Sequence, residues 1–461
     1  MSILAAFMVP HPPMIVPQIG RGEEKSISDT IRAYDRIAEE IADIKPETII
    51  ISSPHTVMYA DYFHISPGKT AQGSFGRFGV PQIRFKEEYD QELADTITGI
   101  ASSESFPAGY LGERDSQLDH GTMVPLYFIR KKYSGFRIVR VGLSGLPLTD
   151  HYRLGMIITE AVRKTDRKAV YVASGDLSHK LQDYGPYGYA AEGPMYDERI
   201  MDVCGRGAFG ELFSFDESFC EKAAECGHRS FVIMAGTLDG LSVRATKLSH
   251  EDVTGVGYGI CSFYPGKNDE GRHFLDSYLE SARDELSKKR QKSDAYVKLA
   301  RDTVENYVRT GRKIRLPEGL PHDMTDGQAG VFVSIHKHGK LRGCIGTFLP
   351  VTACIGQEII DNAVSAASRD PRFEPIAPDE LEWLDINVDV LSTPEDIPSK
   401  DFLDVKRYGV IVTKGHRRGL LLPDLDGVDT VDEQIAIAKK KAGISESEQC
   451  GLQRFEVIRH L

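Results

Sequence analysis

Three short apolar runs in this 461-residue chain each open onto a histidine. Ile3–Val9 is followed by Pro10-His11, and Thr48–Ser52 by Ser53-Pro54-His55. Ala169–Ala173 is followed by Ser174-Gly175-Asp176 and then His179. Apolar runs of this length read as buried strands, and in an open parallel sheet ligands gather at the carboxyl ends of the strands. Two helix starts add to the set. Asp119-His120 precede one apolar stretch, and Glu225, Cys226 and His228 lead into another. Imidazoles and a carboxylate brought together from separate elements have the composition of a two-histidine-one-carboxylate iron site. Singly, each residue has a plainer use: Pro-His as turn chemistry, Asp176 as a helix N-cap assisted by Ser178. Three histidines at one sheet edge would need three such coincidences.

The elements that must position these residues follow from the surrounding pattern. Through residue 264, apolar runs (Arg137–Leu143 among them) alternate with amphipathic stretches such as 26–44 and 148–165. That alternation predicts an α/β domain with a largely parallel sheet and flanking helices. Residues 265–292 are polar and charge-dense, and read as a linker, helical in its second half. Residues 293–461 read as a separate α+β domain. It opens on a helix, then a hairpin about His338-Gly339-Lys340, another helix, further strands and a final helix.

Composition narrows the function. The formal net charge is −12, which argues against binding nucleic acid through phosphate contacts. The seven cysteines contain no C-x-x-C pair, as expected of reduced thiols rather than a disulfide framework or zinc ribbon. No run approaches the roughly 20 apolar residues of a membrane span. Four prolines also interrupt the apolar N-terminal stretch, unlike a signal peptide. A cytoplasmic protein is expected.

VPHPPMIVP (9–17), SSPHTV (52–57), LDHGTMVPL (118–126), SGDLSHK (174–180) and AAECGHRS (223–230) occur in the order found in class III extradiol dioxygenases. The stretch 1–264 resembles this LigB-like superfamily, and is most similar to its Memo-like branch. The resemblance implies a non-haem Fe(II) held by His11, His55 and Glu225, with a small aromatic diol or aminophenol and O2 as substrates. It implies His179 as acid/base and His120 on the substrate side. Asp176 then orients the His179 ring or holds its protonated form. In the Memo-like branch a cysteine replaces the carboxylate, which would make Cys226 the third ligand and favour copper or zinc. Adjacent residues on a helix point about 100° apart, so Glu225 and Cys226 are competing choices, and the carboxylate is the expected one. Arg229 and Arg114 are candidates to receive a substrate carboxylate. The tyrosine- and glycine-rich stretch 181–200 reads as an aromatic wall or a surface loop.

KLRGCIGTF (340–348) and AASRDPRFEPI (366–376) resemble the AMMECR family, over about residues 290–461. Arg342, Arg369 and Arg372 offer an anion-binding face, and Cys344 a reactive thiol. The alternative is that Cys344 is core and the arginines pair with Asp370 and Glu374. His336 and His338 alternate on a strand without a third ligand nearby. Fusions of these two domains resemble members of a system that includes a radical SAM protein, which implies such a partner.

Overall fold

A computed structural model describes residues 3–114, 117–425 and 427–461. The chain divides into two units, Met1–Leu279 and Glu280–Leu461. In the first, six strands form one sheet: β1 (Ile3–Val9), β2 (Thr48–Ser53), β3 (Arg137–Gly142), β4 (Ala169–Ser174), β5 (Leu241–Glu251) and β6 (Tyr258–Asn268), in the order β3-β2-β4-β1-β6-β5. The run β3, β2, β4 and β1 is parallel. β6 runs antiparallel to β1, and the edge strand β5 runs antiparallel to β6. The sheet is therefore mixed, not largely parallel as expected. Its last two strands are joined by only 252–257, which permits a hairpin, whereas a parallel return needs a dozen or more residues.

β2 and β4 are buried along their whole length, because helices cover both faces. Helix α1 (Ser28–Ile44) buries Ala33, Tyr34, Ile37, Ala38 and Ile41 at the spacing of an amphipathic stripe. It packs in one core with α2 (His120–Arg130). The other face is covered by α3 (Leu148–Lys164), α4 (Glu192–Arg206) and α5 (His228–Gly236).

The stretch expected as a linker is structured throughout. β6 runs on to Asn268, and α6 spans Phe274–Lys292. Leu275 is buried against the first unit's core, with Phe274 and Leu279 beside it. Farther along, Arg290 donates to the carbonyls of Leu381 and Glu382 within the second unit.

The second unit is a curled antiparallel sheet with helices. Its strands are β7 (Gly330–Lys337), β8 (Lys340–Gly346), β9 (Leu384–Leu391), β10 (Glu395–Ile397), β11 (Tyr408–Lys414), β12 (Arg417–Leu421) and β13 (Gly451–His460). They are ordered β8-β7-β9-β13-β11-β12, with β10 paired to β13. Helices α7 (Ala295–Thr310) and α8 (Ile355–Ser368) build one core with it, and α9 (Val431–Lys441) another. The hairpin at His338-Gly339 is present: both residues have positive φ, 51° and 75°, and Lys337 pairs with Lys340. This two-residue loop suits the twist of the flanking strands.

Candidate metal centre

β2, β4 and β1 lie side by side, and the chain leaving each carries a candidate ligand. His11 follows β1 by two residues, His55 follows β2 by two, and Asp176 and His179 follow β4 by two and five. Cys226 precedes α5. Its approach depends on glycine: a Cβ on Gly175 would lie 2.1 Å from Gly227 Cα. Only bare backbones let these two segments touch. In that contact the Asp176 amide donates to Cys226 Sγ at 3.2 Å.

His11 Nε2 lies 2.9 Å from His55 Nε2 and 3.7 Å from Cys226 Sγ. All three ligand atoms fall within 4.8 Å of one another. Metal–nitrogen bonds of about 2.0–2.1 Å and a metal–sulfur bond of about 2.3 Å in a tetrahedron need separations of about 3.3 and 3.6 Å. The two separations from His11 Nε2, 2.9 and 3.7 Å, stand close to those spacings. A neighbouring set, Asp176, His179 and Cys226, also falls within 4.8 Å.

The proton positions on His11 follow from its partners. Ser174 has one hydroxyl hydrogen, which goes to the Gly121 carbonyl at 2.6 Å. Ser174 Oγ must then accept from His11 Nδ1–H at 3.0 Å. Nε2 is left with a lone pair directed at His55 and Cys226, the tautomer a metal ligand needs. The His11 amide donates to Asp176 Oδ1 at 2.7 Å, tying the two strand ends together. His55 is braced in the same manner: its amide donates to Ser53 Oγ (3.2 Å), whose hydroxyl donates to Asp119 Oδ1 (2.6 Å). Asp119 also caps α2 through Thr122.

His120 begins that helix with its ring 4.0 Å from His55 and 5.4 Å from His11. Burial, then the neighbouring imidazoles, hold the pKa of His11 well below its usual value. Burial also lowers that of His55, and brings those of His120 and His179 to about 4. The imidazoles are therefore neutral at pH 7, as bases and ligands must be. Burial pushes Asp176 up to about 7. It raises the Cys226 thiol as well, assisted by Asp176 and Glu225. A bound cation would reverse that last effect, since a coordinating thiol is deprotonated outright.

The structure brings together His11, His55, His120, Asp176, His179 and Cys226. It turns Glu225 elsewhere: its Oε2 accepts from the His228 amide at 2.6 Å, satisfying the open N-terminus of α5. One oxygen of the carboxylate expected as third ligand caps the helix, and the adjacent thiol stands with the two imidazoles. Arg229 pairs with Glu217, and Arg114 is exposed. In the tyrosine-rich stretch, Tyr187 stacks on the His179 ring, 5.0 Å between centroids, while Tyr196 is buried and meets His228. Ser174 and Gly227, read in the sequence only as parts of motifs, prove to set the tautomer and the approach of the thiol.

In the second unit, Arg342 makes a two-pronged pair with Glu380 (3.0 and 2.9 Å) and donates to the Glu374 carbonyl. Arg372 pairs with Asp370 at 2.7 Å and reaches the Cys344 carbonyl. Asp370 also accepts from the Cys344 amide, and Ser334 donates to Cys344 Sγ. Arg369 is exposed. These two guanidinium groups thus lock β8 to the segment after α8, with Glu380 as the acid that Arg342 selects. His336 and His338 form no ligand pair: His338 has left the strand and packs on Trp383.

A sheet that feeds imidazoles from parallel strand ends into one cluster, faced by a thiol, defines an α/β unit with a candidate metal centre. Residues 5–261 match the family described as the catalytic LigB subunit of aromatic ring-opening dioxygenase, and the chain belongs to that family. Residues 297–460 match the AMMECR1 family. The two-domain arrangement is shared: Protein CA_C1420 of Clostridium acetobutylicum is 42% identical over 468 residues, covering 100% of this chain and 99% of its own. A protein of Thermotoga maritima is 53% identical over 167 residues, 36% of this chain and 96% of that one. Among solved structures, an uncharacterized protein from Pyrococcus horikoshii shares 32% identity over 36% of this chain and 88% of its own, with a TM-score of 0.34. Another from Escherichia coli K12 shares 14% over 56% and 99%, with a TM-score of 0.39. No described helix is long and apolar enough to cross a membrane.

Proposed function

We propose that the N-terminal unit is a metal-dependent centre of the Memo-like kind, built on the ring-opening dioxygenase scaffold. Its ion is held by His11, His55 and Cys226. The observation that carries this reading is the position of Cys226 Sγ, 3.7 Å from His11 Nε2, while Glu225 caps a helix. Replacing carboxylate by thiolate turns the ligand set from Fe(II) toward copper or zinc. Such an ion, when bound, supplies a Lewis-acidic or redox-active point at the strand ends. The chain's own residues do the rest. His179 and Asp176, 4.0 Å apart, can hold and pass a proton beside it, and His120 and Tyr187 bound the space.

Ring opening of an aromatic diol by O2 is the second reading, favoured by that same acid–base pair next to the ligands. Competitive loading of the full chain under anaerobic conditions separates the two. Copper or zinc is expected to displace Fe(II), and catechols in air are expected to stay colourless. Preferred retention of Fe(II), with a yellow ring-opened product whose formation needs His179, would establish the second reading instead.

The tautomer lock gives a further expectation. Ser174→Ala removes the acceptor that fixes His11. Losing such an outer partner typically costs about 10–100-fold in metal affinity. Chelator competition should show that loss with the circular dichroism spectrum unchanged. Wild-type affinity in the variant would mean that Ser174 does not orient the ligand.

A further inference from the structure

A groove of about 480 Å³ lies between helix α4 and edge strand β5, and none of the candidate metal ligands lines it. Its centre is a buried pair. Asp197, on α4, accepts the Ser178 amide on Oδ1 and His250 Nε2–H on Oδ2, each at 2.8 Å. With Nε2 holding the proton, Nδ1 keeps its lone pair. That nitrogen makes no hydrogen bond among the described residues, and it is left as an acceptor for whatever fills the groove. A β-bulge adds a cation on the same side. Lys247 stands opposite Cys261 and His250 opposite Gly259, with Leu248 as the extra residue. Two side chains three positions apart thereby share one face, while Leu248 turns to the other core.

Charge is divided along the groove. At one end Lys247 lies beside Gly205, where an added Cβ would be 3.9 Å from Lys247 Cβ. Lys247 makes no hydrogen bond or ion pair among the described residues, whereas Arg206 is engaged by Asp202 and Glu211. At the other end Asp252 meets only the Gln182 amide, at 3.3 Å. Glu198, two helical turns before Gly205, is likewise unpaired among the described residues. We propose that this groove binds a short unblocked peptide of about three residues. Its carboxylate lies at Lys247, its ammonium at Asp252 and Glu198, and a backbone N–H donates to His250 Nδ1. The length follows from the strand: with one residue bulged, the Cα atoms of Lys247 and Asp252 stand on the order of 13 Å apart. Three extended residues measure about 10 Å, and the long lysine side chain closes the difference. A single amino acid is too short to reach both ends, and an inorganic anion would be repelled at one of them. Leu181, Pro194 and Met201 supply an apolar wall, which suits small apolar side chains.

Trialanine is the probe, titrated into the full chain by calorimetry beside its N-acetylated and C-amidated forms. A fourth titrant, ω-aminooctanoic acid, has the two charged ends but no amide. Trialanine is expected to bind, and blocking either end to weaken it about tenfold, the effect of one charge-assisted hydrogen bond. In Lys247→Ala the free and amidated peptides should bind alike. In Asp252→Asn combined with Glu198→Gln the free and acetylated peptides should bind alike. His250→Ala should weaken the peptide and leave ω-aminooctanoic acid unaffected. Failure of trialanine to bind, or binding indifferent to both blocks, overturns the proposal. An ω-aminooctanoic acid that binds as tightly as trialanine overturns it too, and assigns the groove to linear amino acids instead.

Discussion

Replacing Cys226 by serine is expected to lower metal affinity by on the order of 10³-fold, whereas Glu225→Gln leaves the metal in place. Zinc binding by peptide sites is worth roughly 10–16 kcal/mol, spread over three or four ligands, so loss of one amounts to about 3–5 kcal/mol. Serine keeps the size but not the soft thiolate, and its hydroxyl is far harder to deprotonate. Glu225 is a different case. Its Oε2 serves the His228 amide, and a glutamine oxygen can accept the same bond. Changing it therefore costs no more than the about 1 kcal/mol of a helix cap. Zinc or copper content after chelator challenge, with urea unfolding measured alongside, separates the two roles. Metal lost from Glu225→Gln and kept by Cys226→Ser would restore the carboxylate as ligand and with it the iron site.

Why the sequence pointed to Glu225, while Cys226 is the residue that stands beside the histidines, is a matter of geometry at a helix start. Two adjacent residues before α5 face different ways, and composition does not say which faces the histidines. The distinguishing signal is local: Glu225 stands three residues before His228, close enough for its carboxylate to cap the helix, a use that competes with ligation. The four parallel strands were legible because each is a nearly continuous apolar run, as burial on both faces requires. β5 was not legible. Its sequence, LSVRATKLSHE, is half-exposed at the sheet edge, so polar residues interrupt it and the hairpin with β6 went unseen. Without that hairpin the sheet read as largely parallel. The histidines at the strand ends were legible for the same reason as the strands. The arginines of the second unit were not fully so, because the acid opposite Arg342 is Glu380, 38 residues away on a separate turn.

The contact between Gly175 and Gly227 makes the largest demand on the backbone, and Gly175→Ala should be the most damaging single methyl in the centre. The added Cβ would sit 2.1 Å from Gly227 Cα, against the about 3.5–4.0 Å of carbon atoms in comfortable contact. Neither partner is a side chain that could rotate away. Gly175 is further pinned, its amide donating to the Val9 carbonyl at 2.9 Å, so the segment bearing Cys226 must yield by more than about 1 Å. Overpacking of this kind costs about 3 kcal/mol or more. At roughly 2–4 °C per kcal/mol for a unit of this size, the melting temperature of the metal-free protein should fall by roughly 6–12 °C. The movement also carries Cys226 Sγ away from the Asp176 amide and from His11, so zinc affinity should fall together with stability. Gly227→Ala tests the same contact from the other side, where the new Cβ meets the Phe231 ring at 2.4 Å and the Asp176 carbonyl at 3.0 Å. The ring can shift but the carbonyl cannot, so a smaller loss in the same direction is expected. Wild-type melting and zinc affinity in Gly175→Ala would show that the thiol reaches the histidines without this approach. Loss of stability with zinc affinity intact would confine the glycines to folding. Loss of both would mean that the close approach of two glycines is what presents a cysteine, rather than the glutamate beside it, to the ends of the strands.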